Sequence, residues 1–156
     1  MKEHQRVSRR AFVAAGATGL AAVMTGARAE AAAWTTAEQA NVQIVNDFCA
    51  AWAGHELEKI MSFFADSGAY RMTETMEPAK GREAVAARVK SILDRVGRFE
   101  IIETFAKGPM VFNERVDHFT SGQMRWWHGV GVFFLKDGKI VEWYDYTIAI
   151  ERIQPV

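Results

Sequence analysis

The chain has 156 residues, 49% of them hydrophobic and 24% charged, and its 19 basic residues are balanced by 19 acidic ones. No basic stripe stands out, which argues against nucleic acid as a partner, because phosphate neutralisation needs clustered Lys and Arg. Cys49 is the one cysteine, so no internal disulfide can form, and His55, His118 and His128 have no metal-ligand spacing; neither a metal nor another cofactor is expected.

The first segment reads as an export leader. Lys2, Arg6, Arg9 and Arg10 make a basic start, Ala11 to Thr25 is an uncharged Ala/Gly-rich run, and Ala27-Arg28-Ala29 is a small-x-small cleavage signal. The run is too short to span a bilayer as a helix. Ser8-Arg9-Arg10-Ala11-Phe12 resembles a twin-arginine signal, and an ordinary secretory leader is the alternative; both imply export, here to the periplasm. The reading is a cleavable signal over residues 1–29 and a single domain over 30–156, with no membrane association after cleavage. Cleavage removes Lys2, Arg6, Arg9, Arg10 and Arg28 from the 19 basic residues and Glu3 from the 19 acidic ones, leaving 14 against 18.

Thr35-Thr36-Ala37-Glu38 matches a capping box, and Val42, Val45, Phe48, Cys49 and Trp52 follow at helical spacing until Gly54. On that apolar face Cys49 is a small core residue. A shorter helix carries Leu57, Ile60, Met61 and Phe64, and Asp66-Ser67-Gly68 reads as the turn after it. A strand is expected over 69–75, then a third helix with Val85, Val89, Ile92, Leu93 and Val96 on one face. From residue 98 the pattern is strand throughout: 98–106, 110–120, 123–136 and 139–151, separated by Gly108-Pro109, Ser121-Gly122 and Asp137-Gly138 as hairpin turns. The fold class is therefore α+β, a cone made by a curled antiparallel sheet closed by three helices placed towards the N-terminus.

One strand breaks the apolar-in rule. In Asn113-Glu114-Arg115-Val116-Asp117-His118-Phe119, one face carries Asn113, Arg115 and Asp117. Two strands later Val141, Trp143, Asp145 and Thr147 share a face. If both faces look into the cone, an arginine lies between two carboxylates. A solvated surface pair is the plain reading of Arg115 and Asp117 alone, and Asp145 weighs against it. The same phase turns Trp127, Gly129, Gly131 and Phe133 inward, where the glycines either open the floor or mark bulges. Trp143 serves as core, as a substrate wall, or as both. His118 and His128 fall on the opposite face, so they are structural or exposed, and Glu74 is an outside candidate for an extra acid.

The order helix, helix, strand, helix, meander resembles the nuclear transport factor-like fold. Glu114 to Phe119 together with Gly131 to Tyr146, "GVFFLKDGKIVEWYDY", resembles the limonene-1,2-epoxide hydrolase family over about residues 36–150. The resemblance implies a cofactor-free hydrolase of small apolar epoxides, with Asp145 as general base on water, Asp117 as general acid on the epoxide oxygen, Arg115 bridging them and Tyr70 helping to hold the water. Substrate contacts would come from Trp143, Trp127, Met72, Gly129 and Phe133. The chain departs from that pattern in Tyr70-Arg71-Met72, where the family has Tyr-x-Asn, so a thioether stands where an amide would orient the water; a bulge could instead bring Thr73 or Glu74 inward. Weak or absent activity on limonene-type epoxides is the expectation. Other acid-base chemistry in the same cone, isomerisation or polyketide ring closure, is one alternative; an exported apolar-ligand-binding protein is another. The outward set Trp126, His128, Val130, Val132 and Phe134 is too apolar for water and predicts a homodimer through the outer sheet face.

Overall fold

The computed structural model describes residues 33–152. The expected leader, residues 1–29, and the export route drawn from it lie outside the described residues.

Helix α1 spans Thr36–Ala51 and starts as its capping box requires: Thr35 Oγ1 accepts from the Glu38 amide at 3.2 Å while the Glu38 carboxylate accepts from the Thr35 amide at 2.8 Å. The other Glu38 oxygen accepts from the Gly108 amide at 2.7 Å, pinning the helix to a sheet turn. Val45, Phe48 and Cys49 are buried, as is Trp52 in the 3-10 turn Trp52–Gly54 that ends the helix. Helix α2, Leu57–Met61, buries Ile60 and Met61. Helix α3, Arg82–Leu93, buries Val85, Val89, Ile92 and Leu93. Val96, read as part of that stripe, instead begins a strand, because the helix stops at Asp94.

The strands are β1 (Phe64–Arg71), β2 (Ala79–Lys80), β3 (Val96–Lys107), β4 (Met110–Phe119), β5 (Met124–Lys136) and β6 (Lys139–Arg152), in the sheet order β2-β1-β6-β5-β4-β3. The last four form the expected antiparallel meander. β1 joins it in parallel with β6, Tyr70 opposite Trp143, and this is the one pairing that departs from the antiparallel expectation. The triplet Asp66-Ser67-Gly68 is not a turn. It sits inside β1, at a register shift between Phe64 and Ala69, and a Cβ on Gly68 would come within 2.9 Å of the Ala65 carbonyl oxygen. Residues that favour turns also suit a bulge, which is why the two look alike in sequence.

Register shifts in β3 and between β5 and β6 bend the sheet around the helices. Phe48 of α1 fills the closed end, edge-on to Trp52, Phe63, Phe64, Phe133 and Trp143 with ring centroids 5.0–6.1 Å away. This aromatic plug seals one end of the cone and leaves the other for a cavity.

Candidate active site

Arg115 and Asp117 lie on one face of β4, and Asp145 lies two strands away on β6, with β5 between. A side chain can cross β5 only if that strand yields room. Gly131 provides it: it pairs with Asp145 on one side and Asn113 on the other, and its missing Cβ would stand 2.6 Å from Arg115 Nη1. Gly129 does the same for Trp127, whose ring occupies the place of a Gly129 side chain. The glycines therefore do not open the floor for a ligand. They seat a guanidinium and an indole.

Arg115 Nε donates to Asp117 Oδ1 at 2.9 Å and Nη2 donates to Asp145 Oδ1 at 2.9 Å. Asp145 also accepts from Trp143 Nε1 at 2.7 Å and, at 3.4 Å, from the Tyr70 hydroxyl. Tyr70 is aimed by its ring, stacked on Trp143 with centroids 3.8 Å apart. Arg115 is fully buried, its guanidinium 4.8 Å from the Phe99 ring centre, 5.1 Å from that of Trp127 and 5.4 Å from that of Trp143.

Electrostatics follow from that burial. Loss of water pushes the Asp117 carboxyl up to about 7, against the pull of Arg115 and with the help of the Asp145 charge. Burial raises Asp145 too, opposed by Arg115, Trp143 and Tyr70. It also raises the Tyr70 hydroxyl, as does the Asp145 charge beside it. Burial works against the Arg115 charge, but Asp117 and Asp145 outweigh it and hold the guanidinium protonated. Such a group titrates as a unit and can keep one proton between its two carboxyls near neutral pH.

Asp117, Asp145 and Tyr70 open onto a cavity of about 110 Å³, which is walled by Met72, Thr73, Ile92, Phe99, Phe119, Met124 and Trp127, with Arg95 also on its lining. Several waters or a small organic molecule fit in that volume, since one water needs roughly 10–15 Å³ on this measure. Of the residues read as substrate contacts, Trp127 and Met72 line the cavity. Trp143 and Phe133 do not: both are fully buried in the aromatic core, where Trp143 orients Asp145 and Tyr70. Gly129 lies beneath the Trp127 ring and is no contact either.

Glu74 turns away from the cavity. Its carboxylate accepts from the Thr147 amide, and Thr147 Oγ1 in turn accepts from Trp127 Nε1 at 3.0 Å. Glu74 thus ties the loop after β1 to β6, and the Thr147 backbone bond, its main partner, holds its carboxyl below the usual range. Asn113 is buried but belongs to a separate tie, donating to Thr104 Oγ1 at 2.7 Å, while Thr104 donates to Asn46 Oδ1 at 2.7 Å. Cys49 donates to Asn113 at 3.5 Å, and burial pushes its thiol up to about 12, so it stays protonated. His118 and His128 sit on the outer face as read, beside Glu100 at 2.8 Å and Glu114 at 3.0 Å. Phe99, Phe119, Met124 and Arg95 were not singled out in sequence; their only signal is the inward phase or strand-end position.

The sequence pattern of the SnoaL-like domain matches residues 45–143. The chain belongs to the SnoaL-like domain family. Among solved structures, an LEH-like epoxide hydrolase of M. tuberculosis is 25% identical, with a TM-score of 0.62 over 70% of this chain and 84% of that one. A SnoaL-like, polyketide-cyclase-like protein from Jannaschia sp. CCS1 is 18% identical, with a TM-score of 0.63 over 74% and 90%. A protein with a ketosteroid isomerase-like fold from Catenulispora acidiphila DSM 44928 is 20% identical, with a TM-score of 0.57 over 67% and 84%. The last two share the fold with the SnoaL-like chain and, at that identity, no more than the fold.

Proposed function

We propose that this SnoaL-like protein is a cofactor-free epoxide hydrolase acting on small, mainly apolar epoxides. One observation carries the reading: two carboxylates in unequal surroundings share a single buried guanidinium and open onto one largely apolar cavity. The likeness to the LEH-like epoxide hydrolase supports it.

In this mechanism Asp145, ionised, takes a proton from a water that the Tyr70 hydroxyl helps to hold. The water oxygen bonds to a ring carbon, the strained C–O bond breaks with its electron pair going to oxygen, and Asp117 gives that oxygen its proton. Asp145 has gained the proton that Asp117 lost, so exchange with solvent restores the pair. Each transfer is worth typically 10² to 10⁴ in rate. Attack opposite the breaking bond inverts the carbon.

The second reading is acid-base chemistry on a carbon acid, isomerisation or ring closure, and the loop after β1 favours it. Beside Tyr70 the cavity is lined by Met72, which cannot donate, and by Thr73, whose hydroxyl is engaged with that of Thr75 at 3.3 Å. A proton shuttle between carbons needs no fixed water. Single turnover in oxygen-18 water with terpene, cyclic and styrene-type epoxides separates the readings. A diol with one labelled oxygen is expected for the hydrolase and an unlabelled rearranged product for the second reading. No turnover of any of these epoxides would remove the hydrolase reading.

A further inference from the structure

We infer that Arg95 selects an amphipathic, anionic ligand, holding its acidic group while the apolar body lies in the cavity against Asp117 and Asp145. The inference rests on the acid-base reading only for which end of the ligand reacts.

Arg95 lies in the turn between α3 and β3, and its backbone is fixed from both sides. Its amide donates to the Ile92 carbonyl at 2.9 Å, and its own carbonyl accepts from the Thr120 amide at 2.8 Å and the Thr120 hydroxyl at 3.2 Å. The side chain is exposed and leans over the β4–β5 turn, where Nη1 lies 3.5 Å from the place a Gly122 Cβ would take. No carboxylate among the described residues pairs with its guanidinium. Arg95 and Met124 line both the cavity and a more open outer pocket completed by Gly122 and Gln123. The inner space thus continues outward past an unpaired cation.

Charge then decides orientation. The charged groups lining the cavity are Asp117 and Asp145 from the β-sheet and Arg95 from the α3–β3 turn, with Ile92, Phe99, Phe119 and Trp127 between them. A neutral apolar molecule could enter either way round. At the inner end an acid meets one carboxylate already paired with Arg115 and a carboxyl that keeps its proton near neutral pH, whereas Arg95 offers an unpaired cation at the outer end, so the acid enters apolar end first. An exposed Arg is a weak anchor in water, but apolar walls on one side limit its screening.

The test uses a pair of unreactive probes, 3-phenylpropionate and 3-phenylpropanamide, titrated calorimetrically at low salt into the wild type, Arg95→Gln and Arg95→Lys. The acid should bind the wild type about tenfold more tightly than the amide, as one charge-assisted hydrogen bond at a half-wet site allows. That preference should vanish in Arg95→Gln and largely survive in Arg95→Lys, while the amide binds all three alike and so reports an intact cavity. Equal affinity of acid and amide for the wild type, or a preference that persists in Arg95→Gln, overturns the inference. Neither probe carries an epoxide, so failure of the epoxide reading leaves this result untouched.

Discussion

Asp117 and Asp145 share one guanidinium, yet their other partners differ. Asp145 has two further donors, Trp143 and Tyr70, whereas Asp117 accepts only from Arg115 among the described residues. The charge with more protein donors is the natural base, and the carboxyl pushed up to about 7 is the natural acid. An acid must start protonated, so kcat/KM, which reports the free enzyme's groups, should fall as pH rises through about 7 in a pH–rate profile. The same shift has a stability consequence. Because the folded Asp117 binds its proton more tightly than the unfolded one, wild-type stability from this group is fullest below the ordinary carboxyl range and is lost as pH rises through about 7. Asp117→Asn should therefore flatten the fall in Tm between pH 5 and 8 while lowering turnover at least ~100-fold. Asp145→Asn should lower it as much. Arg115→Lys should also be costly, since an ammonium lacks the planar fork that reaches both carboxylates. Full activity in either Asn variant would remove the mechanism. These three residues were legible because a strand alternates strictly, and charge on an inward phase stands out. The cavity position next to Tyr70 was not, since loops have no period. With Thr73 turned to Thr75, Met72→Asn should raise hydration several-fold by supplying an amide for the water, and Thr73→Val should change it little.

On β5 the inward glycines were legible as special, but not as what they are. A bare backbone leaves open whether the missing side chain makes space for a ligand, a bulge or a neighbour, and only the three-dimensional crossing of Arg115 decides. Gly131→Ala would drive a methyl into Arg115 Nη1 and Phe133 Cε2, both 2.6 Å from it, and should cost about 1–3 kcal/mol by overpacking along with most activity. Gly129→Ala meets the Trp127 ring and the Tyr146 carbonyl, and backbone cannot move aside as a side-chain tip can, so its loss in chemical denaturation should be at least as large. β1 shows the complementary limit. Its parallel pairing with β6 joins residues more than seventy positions apart in sequence, Tyr70 with Trp143, and no local pattern encodes that partner. The helices were easier, because the capping box at Thr35 and the Val85, Val89, Ile92 stripe are local signals that tertiary packing then reinforces.

The sheet has two faces, and the cone accounts for one of them. On the other, Trp126, His128, Val130, Val132 and Phe134 alternate outward along β5 and are all half-buried in the single chain. Val132 stands level with Phe112 on β4 and Tyr144 on β6, so the apolar set runs across strands rather than along one. Tyr146 is exposed, as are Ile102 and Phe105 on β3. Arg71 lies against this face too, its guanidinium 4.8 Å from the Tyr146 ring centre and 5.1 Å from that of Tyr144, with Nε and Nη2 buried and lacking a hydrogen-bond partner among the described residues. Apolar surface of this breadth argues for a facing protein surface, and a second copy of the chain supplies a self-complementary one. We predict a homodimer through this face, with the two cavities pointing away from the contact. Light scattering at micromolar concentration should give twice the chain mass. Val132→Glu should halve it while leaving the far-ultraviolet dichroism unchanged, because the substituted side chain points away from the core that Phe48 and Trp143 fill. A wild type that is monomeric at that concentration would count against the dimer, and the outer face would then need another cover.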